Sequence, residues 1–140
     1  MRILSVGSLS GMSNTCLHRN WALHKVADEV DEINTQLNPI TLWGRICLGL
    51  PIRIPENNKE NEKICKMVKN KDYDIVWIDK GHTILPSTLK YIKKISPNTI
   101  IVSYSPDNMA LRHNQTQQYL ETIPLYDYFF TNKSYILDNM

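Results

Sequence analysis

The chain is short of the patterns that assign a protein quickly. Its three cysteines, Cys16, Cys47 and Cys65, are odd in number and widely spaced, so they supply neither a disulfide framework nor a CxxC or Cys/His metal site. They read as small buried hydrophobes in a reducing compartment. An excess of one charge is missing too: sixteen Lys and Arg face fourteen Asp and Glu, a formal net charge of +2. That is too small for nucleic acid as the main partner, and the densest basic groups fall on two expected helices as solvated faces. No apolar run reaches membrane-spanning length, and the first residues form a strand pattern with no apolar signal core. No transmembrane segment is expected, and the cytoplasm is the default compartment. The glycosylation-type triplets at Asn114 and Asn132 therefore read as chance. There is no internal repeat, no low-complexity stretch and no domain boundary; residues 1–140 read as one domain.

What is present is a regular alternation of apolar runs and helical patterns. At 140 residues a single domain buries roughly two thirds of its unfolded surface, and 42% hydrophobic with 21% charged residues is ordinary for a globular chain. Arg2-Ile3-Leu4-Ser5-Val6 is a short strand leading into Gly7-Ser8-Leu9-Ser10-Gly11-Met12-Ser13-Asn14, a loop with Ser13 or Asn14 as the cap of a helix over 15 to about 27. Cys16, Leu23 and Ala27 share one face of that helix. Residues 29–35 alternate weakly as a second strand. Residues 37–55 are broken by Pro39, Pro51 and Pro55 and predict a loop with one short helix, a lid over the core or else an acceptor-binding or membrane-surface patch. A helix over 57–70 turns Ile64, Met67 and Val68 inward. Tyr73-Asp74-Ile75-Val76-Trp77-Ile78-Asp79 is a buried strand, Pro86 opens the next helix with Leu85, Leu89 and Ile92 at helical spacing, and Thr99-Ile100-Ile101-Val102-Ser103-Tyr104 is a strand buried on both faces. A short helix over 115–122, a fifth strand over 126–131 and a final helical turn from Asn132 complete the chain. Strands separated by helical crossovers predict an α/β fold: a doubly wound, Rossmann-like parallel sheet of about five strands with helices on both faces.

In such a sheet ligands bind beyond the carboxyl ends of the strands. Four loops, 7–14, 79–83, 106–113 and 132–134, then share one rim and gather Asp79, Lys80, His82, Asp107, Asn108, Arg112, His113 and Lys133 beside the glycine loop. The opposite rim has no comparable set. This asymmetry predicts a polar ligand, an anion among the candidates. The glycine loop lacks the G-x-G-x-x-G spacing and a Gly-Lys-Ser/Thr, so a tight turn and a phosphate cradle are both open. Each rim residue has a plain alternative: Asp107 after Pro106 as an Asx turn or cap, His82 and His113 as surface residues, Lys80 as the partner of Asp79. Arg112 is the residue whose fork matches phosphate or carboxylate. Trp77 and Tyr104 read as core packing rather than ligand stacking.

Three blocks, Tyr73-Asp74-Ile75-Val76-Trp77-Ile78-Asp79-Lys80-Gly81, Val102-Ser103-Tyr104-Ser105-Pro106-Asp107-Asn108 and Tyr126-Asp127-Tyr128-Phe129-Phe130-Thr131-Asn132-Lys133, resemble in order those of the spore-maturation-type (CgeB-like) glycosyltransferases. The first strand with its Gly-Ser loop fits as well, and the resemblance spans nearly the whole chain except 37–55. It implies a GT-B architecture of which this chain is the N-terminal, acceptor-side Rossmann-like lobe. A C-terminal donor lobe, absent or beyond Met140, would hold the nucleotide sugar. It implies Asp107 as the base that deprotonates an acceptor hydroxyl. Substrate contacts would come from Gly7, Ser8, Gly11, Ser13, Lys80, His82, Asn108, Arg112 and His113, with the segment 7–13 facing the donor phosphates. No bound metal and no cofactor beyond the nucleotide-sugar co-substrate is implied, and one lobe alone should not transfer sugar. A receiver-like phospho-signalling module, with Asp79 as phospho-acceptor and Lys133 as its lysine, is the rival; it lacks the acidic pair after the first strand that would hold magnesium. A non-catalytic binding domain is the third reading.

Overall fold

A computed structural model of the chain describes residues 1–11, 14–35, 53–56, 58–108, 111 and 114–133. In order, they form β1 (Arg2–Gly7), α1 (Thr15–Val26), β2 (Glu29–Asn34), α2 (Glu60–Asn70), β3 (Ile75–Asp79), α3 (Pro86–Ile95), β4 (Ile100–Ser105), α4 (Gln117–Thr122) running into a 3-10 turn (Ile123–Leu125), and β5 (Tyr128–Thr131). The strands make one sheet in the order β2-β1-β3-β4-β5, and all four pairings are parallel. This is the α/β Rossmann-like class read from the alternation. The order reverses between β1 and β3, the switch point beside which open α/β sheets bind ligands.

Several elements start later than their sequence patterns. Tyr73 and Asp74 precede β3 because their polar atoms bridge to neighbours: the Tyr73 hydroxyl donates to Asp31 at 2.6 Å and Asp74 accepts from the Arg2 amide at 2.6 Å. Asp127 does the same before β5, accepting from the Ile101 amide at 2.7 Å. Thr116 stops α4 from starting at 115, because its hydroxyl caps the helix by accepting from the Tyr119 amide at 3.1 Å. Of the expected lid over 37–55, residues 37–52 lie outside the described residues.

Register separates the two faces of the sheet, since side chains alternate along a strand. One face carries Leu4, Val6, Ile33, Val76, Ile78 and Ile101, packed against Ile64 and Val68 of α2 and Leu89 and Ile92 of α3. This is the core. The other face is covered by α1 over β1, with Cys16 and Asn20 buried and Leu23 and Ala27 half-buried. On that face β3, β4 and β5 have no covering helix among the described residues. Ile100 is 39% exposed, Tyr128 56% and Phe130 49%. The expectation that the β4 run is buried on both faces therefore fails at Ile100. Trp77 and Tyr104 are likewise half-buried rather than in the core, stacked on each other with centroids 6.2 Å apart. Among the described residues no helix is long and apolar enough to cross a membrane.

Candidate functional site at the carboxyl rim

Because every strand points the same way, the loops after β1, β3, β4 and β5 meet at one rim. At the switch point stands Gly7. A Cβ there would lie 2.5 Å from the Cys16 sulfur and 2.9 Å from Cβ of Asp79, so the glycine serves the close approach of α1 to β3. The loop that follows is tied down from within. Asn14, the cap of α1, accepts from the Cys16 amide and donates to the Ser8 and Ser10 carbonyls at 2.5 and 3.1 Å. Asn34 takes the Leu9 amide at 3.0 Å and donates to the Ser10 hydroxyl at 2.6 Å. The Leu9 amide is thus engaged within the protein, and the loop is a braced turn. Gly11, at φ +90°, holds a backbone conformation that L side chains rarely adopt. Ser13 lies outside the described residues.

Asp79 ends β3 and is spoken for. Its two oxygens accept from Arg19 Nε at 2.6 Å and Nη2 at 2.7 Å, and its side chain is 2% exposed. Arg19 lies in turn 4.3 Å above the Tyr104 ring, a charge held on an aromatic face. The thiol of Cys16 beside them is pushed up to about 12 by burial and then by the Asp79 charge, which leaves it unreactive. Lys80 does not pair with Asp79, contrary to the plain reading of its neighbour. It turns to Asp107 across the rim, Nζ to carboxylate 2.8 Å, with both side chains about two-fifths exposed.

The turn that aims Lys80 is unusual. Lys80 and Gly81 both have φ +67°, and a lysine in the left-handed region costs about 1 kcal/mol. Strain of this kind persists where the surroundings over-determine it. Here the Lys80 amide donates to the Tyr104 carbonyl at 2.8 Å and the Gly81 amide to the Asp79 carbonyl at 2.9 Å. Below, the buried Glu60 and Asn61 at the start of α2 receive the Thr83 hydroxyl and donate to the Thr83 carbonyl. Thr116 donates to the His82 carbonyl at 2.7 Å. Side chains at the starts of α2 and α4, with a backbone carbonyl of β4, thus fix a four-residue loop.

His82 sits inside that loop with its ring 5.7 Å from Tyr119 and its Nδ1 buried without a hydrogen-bond partner among the described residues. Burial, and then the nearby Lys80 charge, press its pKa down to about 4 against a weaker pull from Asp107. It is a neutral imidazole at ordinary pH and not the surface residue of the plain reading. Asn108 follows Asp107, and its carbonyl accepts from the Leu111 amide at 3.2 Å and from Asn114 at 2.9 Å, closing the loop back on itself. Arg112 and His113 lie outside the described residues.

Compared with protein-family models and with curated proteins, the chain matches none. The site is therefore read from its own groups. The described rim brings together Gly7, Ser8, Gly11, Lys80, His82, Asp107 and Asn108, with Asp107 its half-exposed acid and Asp79 withdrawn beneath it. Among the described residues no group of three or more His, Cys, Asp or Glu could hold a metal ion. A separate open groove of about 750 Å³ runs between β2 and α2, lined by Asp31, Lys63, Lys66, Lys71 and Tyr73 among others. Its Lys71 is spent on Glu29 and Asp31 at 2.7 and 2.5 Å. Sequence reasoning missed Arg19, Glu60 and Asn61. Of the supports, Thr116 alone left a signal, a hydroxyl residue just before a helical pattern.

Proposed function

We propose that the chain is the acceptor-side lobe of a GT-B glycosyltransferase of the spore-maturation (CgeB-like) type. With a donor-binding lobe it transfers a sugar from a nucleotide sugar to an acceptor hydroxyl, in the cytoplasm and with no resident cofactor. The observation that carries this reading is the Lys80–Asp107 pair: an accessible carboxylate at the carboxyl rim, held by a lysine whose backbone is strained to reach it. Asp107 takes the proton from the acceptor hydroxyl as its oxygen bonds to the anomeric carbon of the sugar and the bond from that carbon to the donor phosphate breaks, the nucleotide leaving with the electron pair; a base must come within hydrogen-bond distance to do so. Lys80 orients that carboxylate, while Asn108 and neutral His82 supply polar contacts for an uncharged acceptor. The three sequence blocks named above support the same assignment.

The strand order is shared with receiver-type signalling modules, and this favours the second reading. Against it, both oxygens of Asp79, the would-be phospho-acceptor, are taken by Arg19, and Gly7 and Ser8 stand where metal-binding acids are needed. The test is sugar transfer by the chain together with its donor lobe. Asp107→Asn is expected to abolish turnover and leave the melting temperature within about 4 °C, since exposed ion pairs contribute at most ~1 kcal/mol. Undiminished turnover removes Asp107 from the mechanism. Labelling of Asp79 by acetyl phosphate would favour the receiver instead.

A further inference from the structure

Seven buried side-chain nitrogen and oxygen atoms make no hydrogen bond among the described residues, and five of them gather beside the carboxyl end of β4: Ser103 Oγ, Ser105 Oγ, Tyr119 Oη, Tyr126 Oη and His82 Nδ1. Ser103 and Ser105 point to the same face of the sheet, because side chains alternate along a strand. Burial pushes both phenols above their ordinary range; Ser105 eases Tyr119 back, and Thr122 and Ser103 ease Tyr126. These groups are therefore neighbours, yet none of the five has hydrogen-bond geometry. The Tyr126 hydroxyl stands 2.9 Å from the point a Cβ on Gly81 would occupy, so it lies against the strained loop. The Tyr119 ring is 5.7 Å from that of His82. Ser103, Ser105 and Tyr119 have no exposure, while His82 is half-buried and joins the cluster to the rim.

Leaving a buried polar atom unpaired costs more than a hydrogen bond returns, and a folded protein keeps few of them. Five side by side mark a place built for a partner. Their chemistry says of what kind. Four hydroxyls and a neutral imidazole can each donate or accept, and none carries charge. An anion would find no free cation there, since Lys80 is engaged with Asp107, and it would meet the Asp107 charge, which already reaches Tyr119. A neutral hydroxyl, donating and accepting from one atom, is the matching group.

We propose that Ser105, Tyr119 and His82 form a subsite for a second hydroxyl of the acceptor, beside the one that Asp107 meets. This rests on the acceptor reading of the rim and deepens it. The acceptor is then a neutral polyol, and Ser105 and Tyr119 set its specificity without touching the reacting atoms. Groups kept unpaired for a ligand weaken the ligand-free fold, the usual conflict between function and stability.

Ethylene glycol and glycerol, small carriers of that group, are titrated into the chain to about 1 M, since so few atoms bind weakly, and followed by backbone-amide NMR. The amides of His82, Ser105 and Tyr119 should shift and saturate, and inorganic phosphate should leave them in place. Tyr119→Phe and Ser105→Ala should each weaken glycol binding about fivefold, the loss of one hydrogen bond. Thermal melting separates this from a merely structural role. Without ligand each variant should melt about 3 °C higher, because an unpaired buried hydroxyl has been removed. A lower melting temperature for both would mean that the hydroxyls satisfy one another within the fold, and it overturns the proposal. Glycol shifts that stay linear or ignore both substitutions overturn it too, as does phosphate moving the same amides. The readout is binding and stability, not turnover: a chain that binds glycol in this way yet transfers no sugar with its donor lobe keeps the subsite and loses the transferase assignment.

Discussion

Cutting the Arg19–Asp79 pair measures how far Asp79 belongs to the scaffold rather than to the chemistry. Asp79 is 2% exposed and Arg19 22%, and two charge-assisted hydrogen bonds of 2.6 and 2.7 Å join them. Removing one member of a buried pair costs about 3–5 kcal/mol, because the other is left charged and unpaired. Arg19 keeps some contact with water and with the Tyr104 face, so Asp79→Asn belongs at the lower end, about 3 kcal/mol. Arg19→Ala strands a carboxylate with almost no access to water and belongs higher, about 4 kcal/mol. The double variant leaves no uncompensated charge and should cost less than the sum, with a coupling of about 2 kcal/mol. Urea unfolding by far-UV circular dichroism, extrapolated linearly, gives all four corners of the cycle. Single losses below about 1 kcal/mol, additive to within ~0.5, would refute the reasoning. Asp79 would then be free to act at the rim.

Three further outcomes follow from the same geometry. Gly7→Ala should destabilise by about 3 kcal/mol, since the new methyl meets the Cys16 sulfur and Asp79 inside a packed core; a thermal melt unchanged within error would show that α1 can give way. Lys80→Gly relieves the left-handed backbone while losing an exposed ion pair, so stability should rise by about 0.5 kcal/mol even as the proposed activity falls, and a clear loss of stability would mean the pair matters more than the strain. His82 has a folded pKa of about 4 below its unfolded value of about 6.5. The unfolded chain therefore binds more protons between these values, and folding stability falls as pH drops from 6.5 to 4, by roughly 3 kcal/mol. The effect of this group fades out about one pH unit above 6.5. His82→Gln should flatten that slope, and an unchanged pH profile would show that the ring protonates freely in the folded protein.

Much of the sheet was legible because its signals are local. The unbroken apolar runs around Val76 and Ile101 mark central strands, and Pro86 and Asn14 mark helix starts, whatever the rest of the chain does. The rim followed from parallel topology, and Asp79, Lys80, Asp107 and Asn108 do fall on it. Who pairs with whom was not legible. Arg19 reaches Asp79 across sixty residues of chain, and nothing in an exposed-looking helix pattern singles it out from its neighbours. Glu60 and Asn61 look like solvated first-turn residues, yet they are buried beneath the 80–83 loop because Thr83 supplies their partners. The exposure of Ile100 was misread for a related reason: an apolar run records that a strand is apolar, not that both faces are covered.

The central claim is that a sugar acceptor binds on the carboxyl rim around Asp107. Backbone-amide NMR of the chain, titrated with a panel of mono- and oligosaccharides, tests it most directly. The account predicts that at least one sugar shifts the amides of Gly81, Asp107 and Asn108, together with those of Gly7 and Gly11, and leaves the opposite rim unmoved. Shifts centred on the amino ends of the strands, or in the groove between β2 and α2, would contradict it, as would no response to any sugar.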